Sequence, residues 1–476
     1  MECLRLSLIF RGVVALGLGL LGGCAKFSPD AGMAPVAAHV SAEIGRDTVK
    51  ITSAADAAGV KERVRAIVSR TLTADAAVQL ALLNNRGLQA EYNTLGIAEA
   101  AFVEASLPPN PTFSFERISA PGDLEIERRV VANILALFLL PARRDIAKAG
   151  FEAARFRAIE ATFRVAAETR RAYYRAVAAS QTVAFLEQAR IAADAAAALT
   201  RKLGETGAAT KLDQARAGAF YAEVSNQLAQ ARLRATTERE SLTRLLGVWG
   251  PDINYKLPRE LPNLPVKLPS SEQIEATAIR KRVDLIAARL DLDRLAKSLG
   301  LTEATRFVSV LELSGIFAER RTDTEHTHPI GYELAIEIPI FDFGEVNVRR
   351  ARETYMQAVY RLIERAVDAR SEVRSAYQTL RATHDISRQY RNQILPLRKT
   401  INDEALLAYN GMLIDVFDLL TTSRESILTN VAAITAKRDY FIASVDFQAA
   451  TIGGGGAVAA PGEETVASSE PGAGEH

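Results

Sequence analysis

The chain, 476 residues long, is poor in the groups that usually carry chemistry. Its two cysteines, Cys3 and Cys24, both fall at the N-terminus, so no disulfide framework holds the remainder together. Five histidines occur, and none stands in a His-Glu-x-x-His or similar ligand spacing. His326 and His328 lie between two strand-like segments and read as part of a solvated loop, with a metal site as the weaker alternative. There is no phosphate-binding or dinucleotide glycine loop and no nucleophile–base constellation at a telling spacing, so the chain reads as a non-enzyme without cofactor or metal. Lys and Arg number 58 against 57 Asp and Glu, which excludes the basic footprint of a nucleic-acid binder. No uncharged apolar run is long enough for a permanent transmembrane helix, so a membrane-spanning mature chain must cross with strands.

What is present comes twice. The helical stretch Asp75 to Ala90 recurs as Glu272 to Ala287, about 197 positions later. From the long helices onward the offset settles near 202, so that Ala149 matches Ala351 and Leu212-Asp213 matches Ile414-Asp415. Each copy runs helix, strand, strand, long helix, long helix. A unit this large that recurs once is no solenoid; it predicts a pseudo-symmetric assembly.

The expected organisation is as follows. Residues 1–23 form a secretory signal, with Arg5 and Arg11 before the apolar run Val13 to Leu21, and 24–71 form a tether. The first repeat covers 72–250, opening with one helix from Thr73 to Leu107, then strands near 111–118 and 128–140 and a helical hairpin over 142–247. A helix from Pro141 to Leu203 would extend roughly 90 Å. The connector 251–271 carries Pro251, Pro258, Pro262, Pro265 and Pro269, a density no helix survives. The second repeat covers 272–452, with strands near 305–320 and 331–341 and a hairpin over 344–450. Residues 453–476, rich in Gly, Ala, Pro and Glu, predict a disordered tail.

Two patterns bear on function. Tyr332, Leu334, Ile336 and Ile338 share one strand face and Glu333, Ala335 and Glu337 the other, as in a wall between lipid and water, although a half-buried soluble strand looks alike. In the second long helix Ala351, Tyr355, Ala358, Leu362, Ala366, Ala369, Val373, Ala376 and Leu380 recur at gaps of three and four, a stripe that an ordinary coiled coil also explains. Pro396 predicts a kink there, and Tyr409-Asn410-Gly411 the turn.

Taken together, the duplicated opening helix, two strand pairs and two long hairpins resemble the TolC-type outer-membrane channels, over about 72–452. Leu21-Gly22-Gly23-Cys24 is similar to the lipoprotein signal of one branch, with Gly22 where Ala or Ser is commoner; a chance cysteine beside a cleavage site is the alternative. The resemblance implies a mainly α fold with a small β part, four strands per chain joining a trimeric twelve-stranded outer-membrane barrel continued by a periplasmic α-helical barrel. It implies Cys24 as the lipid attachment site (acylated, palmitate included), anchoring a homotrimer in outer-membrane lipid with a large periplasmic part. It further implies passive exit for substrates of a tripartite efflux or type I secretion system, with a periplasmic adaptor and an inner-membrane pump as partners.

Asp415-Val416-Phe417-Asp418 matches the family's periplasmic constriction, making Asp415 and Asp418 the gate; the alternative is that they only complement a helix dipole. Met412-Leu413 stand where the family often has an Arg or other polar residue, so the latch is not evident. The hairpin tips, at Gly207, Leu212 and Asp213 and at Gly411 and Leu413, would dock the adaptor. In the 202 frame Arg216 takes the place of Asp418, so the halves should differ there. The rival reading is a lipid-anchored periplasmic coiled-coil adaptor or scaffold without a pore; such a chain would show one hairpin, whereas two are present.

Overall fold

A computed structural model describes residues 26–269 and 273–454. The signal segment, Cys24 and residues 455–476 of the expected tail lie outside the described residues. The chain divides into two compact units, each assembled from three separated stretches of sequence. The first comprises Met1–Thr169, Arg239–Pro258 and Ile279–Ala369, and the second Arg170–Glu238, Arg259–Ala278 and Arg370–His476.

In the first unit the expected tether is instead structured. It holds α1 (Met33–Ile44), which buries Met33, Val36 and Val40, and α2 (Ala54–Val68), started by a reciprocal capping box between Ser53 and Asp56. Ser28 donates to Glu99 at 2.5 Å and His39 packs against Phe156 and Phe163, which ties this segment to later helices. Its apolar residues recur at helical spacing, a signal that the Ala-rich composition hid.

The opening helix of each repeat is two helices. The first breaks into α3 (Ala74–Asn84) and α4 (Arg86–Ala105) at Asn85, the second into α8 (Ile274–Lys281) and α9 (Val283–Ala304) at Arg282. Both break residues are extended, with ψ of 117° and 119°, and they stand about 197 positions apart. Asn85 suits its place: its Oδ1 accepts from the Leu88 amide at 3.0 Å while its Nδ2 donates to the Leu245 carbonyl at 2.9 Å. Arg282 is buried and held by Asp284. Nearby Tyr92, fully buried, shares a 3.0 Å hydrogen bond with Thr162, and burial pushes its phenol up to about 12.

The same unit holds the sheet, an antiparallel run of β1 (Thr112–Ala120), β2 (Asp123–Asn133), β3 (Val310–Thr322) and β5 (Ile330–Glu337). A two-residue β4 (His326–Thr327) extends the last hairpin, a fifth strand where four were expected. The second strand starts and ends earlier than expected: residues 134–138 form a short helix, α5 (Ile134–Phe138), because Asn133 caps it by accepting from the Ala136 amide at 2.8 Å. At the strand-to-helix joint of the second repeat Gly344 has φ 73°, and a Cβ there would lie 2.2 Å from the Arg306 carbonyl oxygen, so only glycine fits.

The long hairpins are α6 (Leu140–Glu205) with α7 (Lys211–Leu246), and α10 (Glu345–Gln389) with α11 (Leu395–Asn410) and α12 (Val416–Ile452). A π-helical turn, Tyr390–Ile394, joins α10 to α11. Pro396 lacks an amide proton and its ring crowds the carbonyl four residues back, and the wider turn just before it absorbs both. In the second unit Leu186, Phe220, Val224, Leu228, Leu420 and Ile427 form one core. An aromatic run from Tyr174 through Phe441 and Tyr440 to His384 and an Arg171–Asp446 pair at 2.5 Å add to it. The predicted stripe is the least exposed face of α10, with Ala369, Val373, Ala376 and Leu380 at 2 % exposure or less.

Asn85→Ala should remove a helix cap and orphan the Leu245 carbonyl, a loss of about 1–3 kcal/mol. Its measure is a lowered midpoint for thermal loss of helical circular dichroism relative to the unaltered protein.

Candidate functional site

Alternation sends every second strand residue to the same face, and antiparallel partners share a face. The register therefore sorts the whole sheet. Phe113 and Phe115 align with Val130 and Arg128, these with Gly315 and Phe317, and those with Tyr332 and Ile330. Adding Ala132, Leu311, Leu313, Leu334 and Ile336, one face is an apolar field about 20 Å tall along the strands. Tyr332 is 86 % exposed and Phe113 64 %, so among the described residues nothing covers these side chains.

The opposite face is polar. It carries Glu116, Asp123, Glu125, Glu127, Glu312, Glu333 and Glu337 against Arg129 and Arg320. Arg129 bridges Glu127 at 2.8 Å and Glu333 at 2.9 Å across three strands, and Arg320 reaches Glu125 at 3.1 Å. Ile118, Val131, Val310 and Ile316 are its larger apolar exceptions. Among the described residues β1 and β5 are edge strands, each paired on one side only.

At the far ends of the helices, the two tips are built alike. Ala208 donates to Leu203 O at 2.8 Å and Leu413 to Ala408 O at 2.8 Å, each closing a helix C-terminus. The left-handed residue is Gly207 (φ 78°) in the first tip and Met412 (φ 59°) in the second, not the Gly411 expected to make that turn. Thr210 caps α7 by accepting from the Asp213 amide at 3.1 Å, and Asp415 caps α12 by accepting from the Asp418 amide at 2.8 Å. The matching pairs are thus Gly207 with Met412, Thr210 with Asp415 and Asp213 with Asp418.

The frame of the hairpins is about 205, and the 202 of the sequence comparison is corrected by three. Asp418 answers to Asp213, not to Arg216. The halves differ instead at the cap, neutral Thr210 against charged Asp415, and at Gly207 against Met412. Asp213 is held below the usual carboxylate range by its hydrogen bonds from the Thr210 hydroxyl and amide. Asp415 and Asp418 both face solvent one turn apart, and the capping role accounts for the position of Asp415 without using its charge. Exposed Leu212, Met412 and Leu413 surround the tips, Leu413 at 81 %. Sequence reasoning missed one contact: the Arg216 guanidinium lies 4.4 Å from the centre of the Phe417 ring, joining the two hairpins beside the acidic pair.

Around His326 and His328, whose rings stand 4.6 Å apart, Glu319 is the acidic neighbour, 3.0 Å from His326. Among the described residues no group of three or more side chains is arranged to hold a metal ion, and no helix is long and apolar enough to cross a membrane.

The fold of this chain is similar to that of solved outer-membrane channel proteins. A crystal structure of a membrane protein from Pseudomonas aeruginosa matches with a TM-score of 0.69 at 20 % identity, over 82 % of this chain and 93 % of that one. The Campylobacter jejuni CmeC outer membrane channel matches at 0.64 and 20 %, over 83 % and 86 %. In sequence, the cobalt-zinc-cadmium resistance protein CzcC of Cupriavidus metallidurans is 22 % identical over 368 residues, 74 % of this chain and 83 % of the relative. No family model matches the chain.

Met412→Gly should relieve the left-handed methionine and stabilise the second tip by about 1 kcal/mol. Hydrogen exchange at the Leu413 amide would then slow roughly fivefold. Unchanged exchange would mean that the tip already relaxes by another route.

Proposed function

We propose that the protein is a lipid-anchored, trimeric outer-membrane channel that gives passive exit to substrates of a tripartite efflux or type I secretion system. The observation that carries this reading is the two-faced sheet with two open edges. Four main strands cannot close a membrane barrel alone, and an edge of unpaired amide and carbonyl groups has no place in lipid. Pairing β5 of one copy with β1 of the next, three times, would yield a twelve-stranded barrel with the apolar field outside and the acidic face inside. The two hairpins of each copy would then supply six near-equivalent units to a periplasmic tunnel. The duplicated plan, at about 197 for the opening helices and about 205 for the hairpins, fits that arrangement. Cys24 would carry the acyl chains.

The acidic inner face supports cationic cargo, since rings of carboxylates concentrate cations and repel anions. The name of the CzcC relative, a cobalt-zinc-cadmium resistance protein, points the same way. At the periplasmic end Asp415 and Asp418 form the aperture, and the stacking of Arg216 on Phe417 helps hold it closed where the second tip lacks an arginine of its own. A periplasmic adaptor docks at Gly207, Leu212, Asp213, Gly411 and Leu413, and an inner-membrane pump supplies the energy.

Two measurements test the reading. In planar bilayers the trimer should conduct with cation preference, and Asp415→Ala with Asp418→Ala should raise conductance and weaken that preference; a silent, correctly trimeric sample would sink the channel. The lipid-facing assignment predicts that Leu334→Arg lowers insertion by about 2–4 kcal/mol whereas Glu333→Arg on the inner face does not. The folded fraction recovered in lipid vesicles decides between them.

A further inference from the structure

Beyond its apolar rows, the lipid-facing side of the sheet changes character at one end only. Stepping outward from the level of Phe115, Arg128 and Phe317, the register places Arg117, Ile126 and Glu319 together, then Ser119, Leu124, Arg321 and His326. His328 follows two residues after His326, against its ring. Three guanidinium groups and two imidazoles thus share a face with Glu319, while Asp323 and Glu325 lie in the turn beyond Arg321. Glu319 is already engaged, by His326 at 3.0 Å and by Arg128 at 4.0 Å. Among the described residues no ion pair involves Arg117 or Arg321, both of them exposed. The acidic residues of these strands point the other way, Glu125 and Glu127 being held by Arg320 and Arg129 on the opposite face.

We propose that this belt binds the phosphate groups of lipid headgroups in the outer leaflet. The proposal rests on the outer-membrane reading and adds to it a specific lipid contact. A cluster of arginines at the rim of a lipid-facing field meets headgroups rather than acyl chains, and the planar guanidinium fork matches two phosphate oxygens at once. Simple snorkelling of long side chains would need no such excess, and would operate at both ends of the field. At the inner end the last paired row on this face is Leu311 with Ile336, and Arg306 beyond it is already paired with Glu345 at 3.2 Å. Glu319 serves to position Arg128 and His326 rather than to cancel them. The occupant that fits is a phosphorylated glycolipid whose acyl chains lie along the apolar field and whose phosphates reach Arg117, Arg128 and Arg321.

The test uses the detergent-purified full-length trimer with lipid A as the probe, in its bisphosphorylated and dephosphorylated forms, and counts bound lipid by native mass spectrometry. The bisphosphorylated form should bind at least tenfold more tightly. Arg117→Gln, Arg128→Gln and Arg321→Gln combined should abolish that preference, whereas Arg320→Gln, on the inner face, should keep it. Equal binding of the two forms by the unaltered trimer overturns the proposal, and that comparison stands even if the triple variant does not assemble. Retention of the preference by an assembled triple variant also overturns it, as does full displacement by millimolar inorganic phosphate, which would mark a site for free anions. Bilayer conductance of the same sample reports on the channel separately, so failure of one reading is not mistaken for failure of the other.

Discussion

The edge strands set the terms for everything else. Among the described residues β1 and β5 each leave one row of backbone amides and carbonyls without a partner strand, beside a field of exposed phenylalanine, leucine and isoleucine side chains. In water such an edge is a template for aggregation, and in lipid each unpaired group costs several kcal/mol. On the proposed reading, closure with further copies would satisfy that edge and would fix which face meets lipid. The side on which the carboxylates gather and a tip where a passage could be shut would then follow.

The helices carry the same incompleteness. Along α10 the small-and-large stripe is fully buried only from Ala369 onward, and from Ala351 to Ala366 it stays half-buried. A stripe of this period is made to be covered along its length. The joints that hold such long elements in place are by contrast finished within the chain. Asn85 serves a cap and a carbonyl together, Arg282 is buried against Asp284, and Gly344 lets the strand meet the helix.

Much of this was legible in the sequence because period and punctuation are local. Strand alternation from Tyr332 to Glu337 separates the two faces of β5, and the described part of the proline-rich connector forms no α-helix. The helix stripe was equally readable. The frame of the hairpins was not, for a geometric reason: a slip of three residues turns a helix by about 300°, which returns nearly the same face. Hydrophobic spacing therefore cannot tell an offset of 202 from one of 205, whereas the caps at Thr210 and Asp415 can. The break at Asn85 was hidden because extended backbone at one residue leaves no trace in composition. The Arg216–Phe417 contact joins residues some two hundred positions apart, which no local pattern encodes.

The π-helical turn at Tyr390–Ile394 has a consequence for the second hairpin as a whole. Glu345 to Asn410 contains as many residues as α6, yet one wide turn inserts a residue without adding a turn of winding. Beyond Ile394 the side chains are set back in phase by roughly 100° relative to an unbroken helix. Two arms of equal residue count therefore arrive at their tips with different azimuths, and chemically similar tips present themselves at different angles to whatever lies beyond.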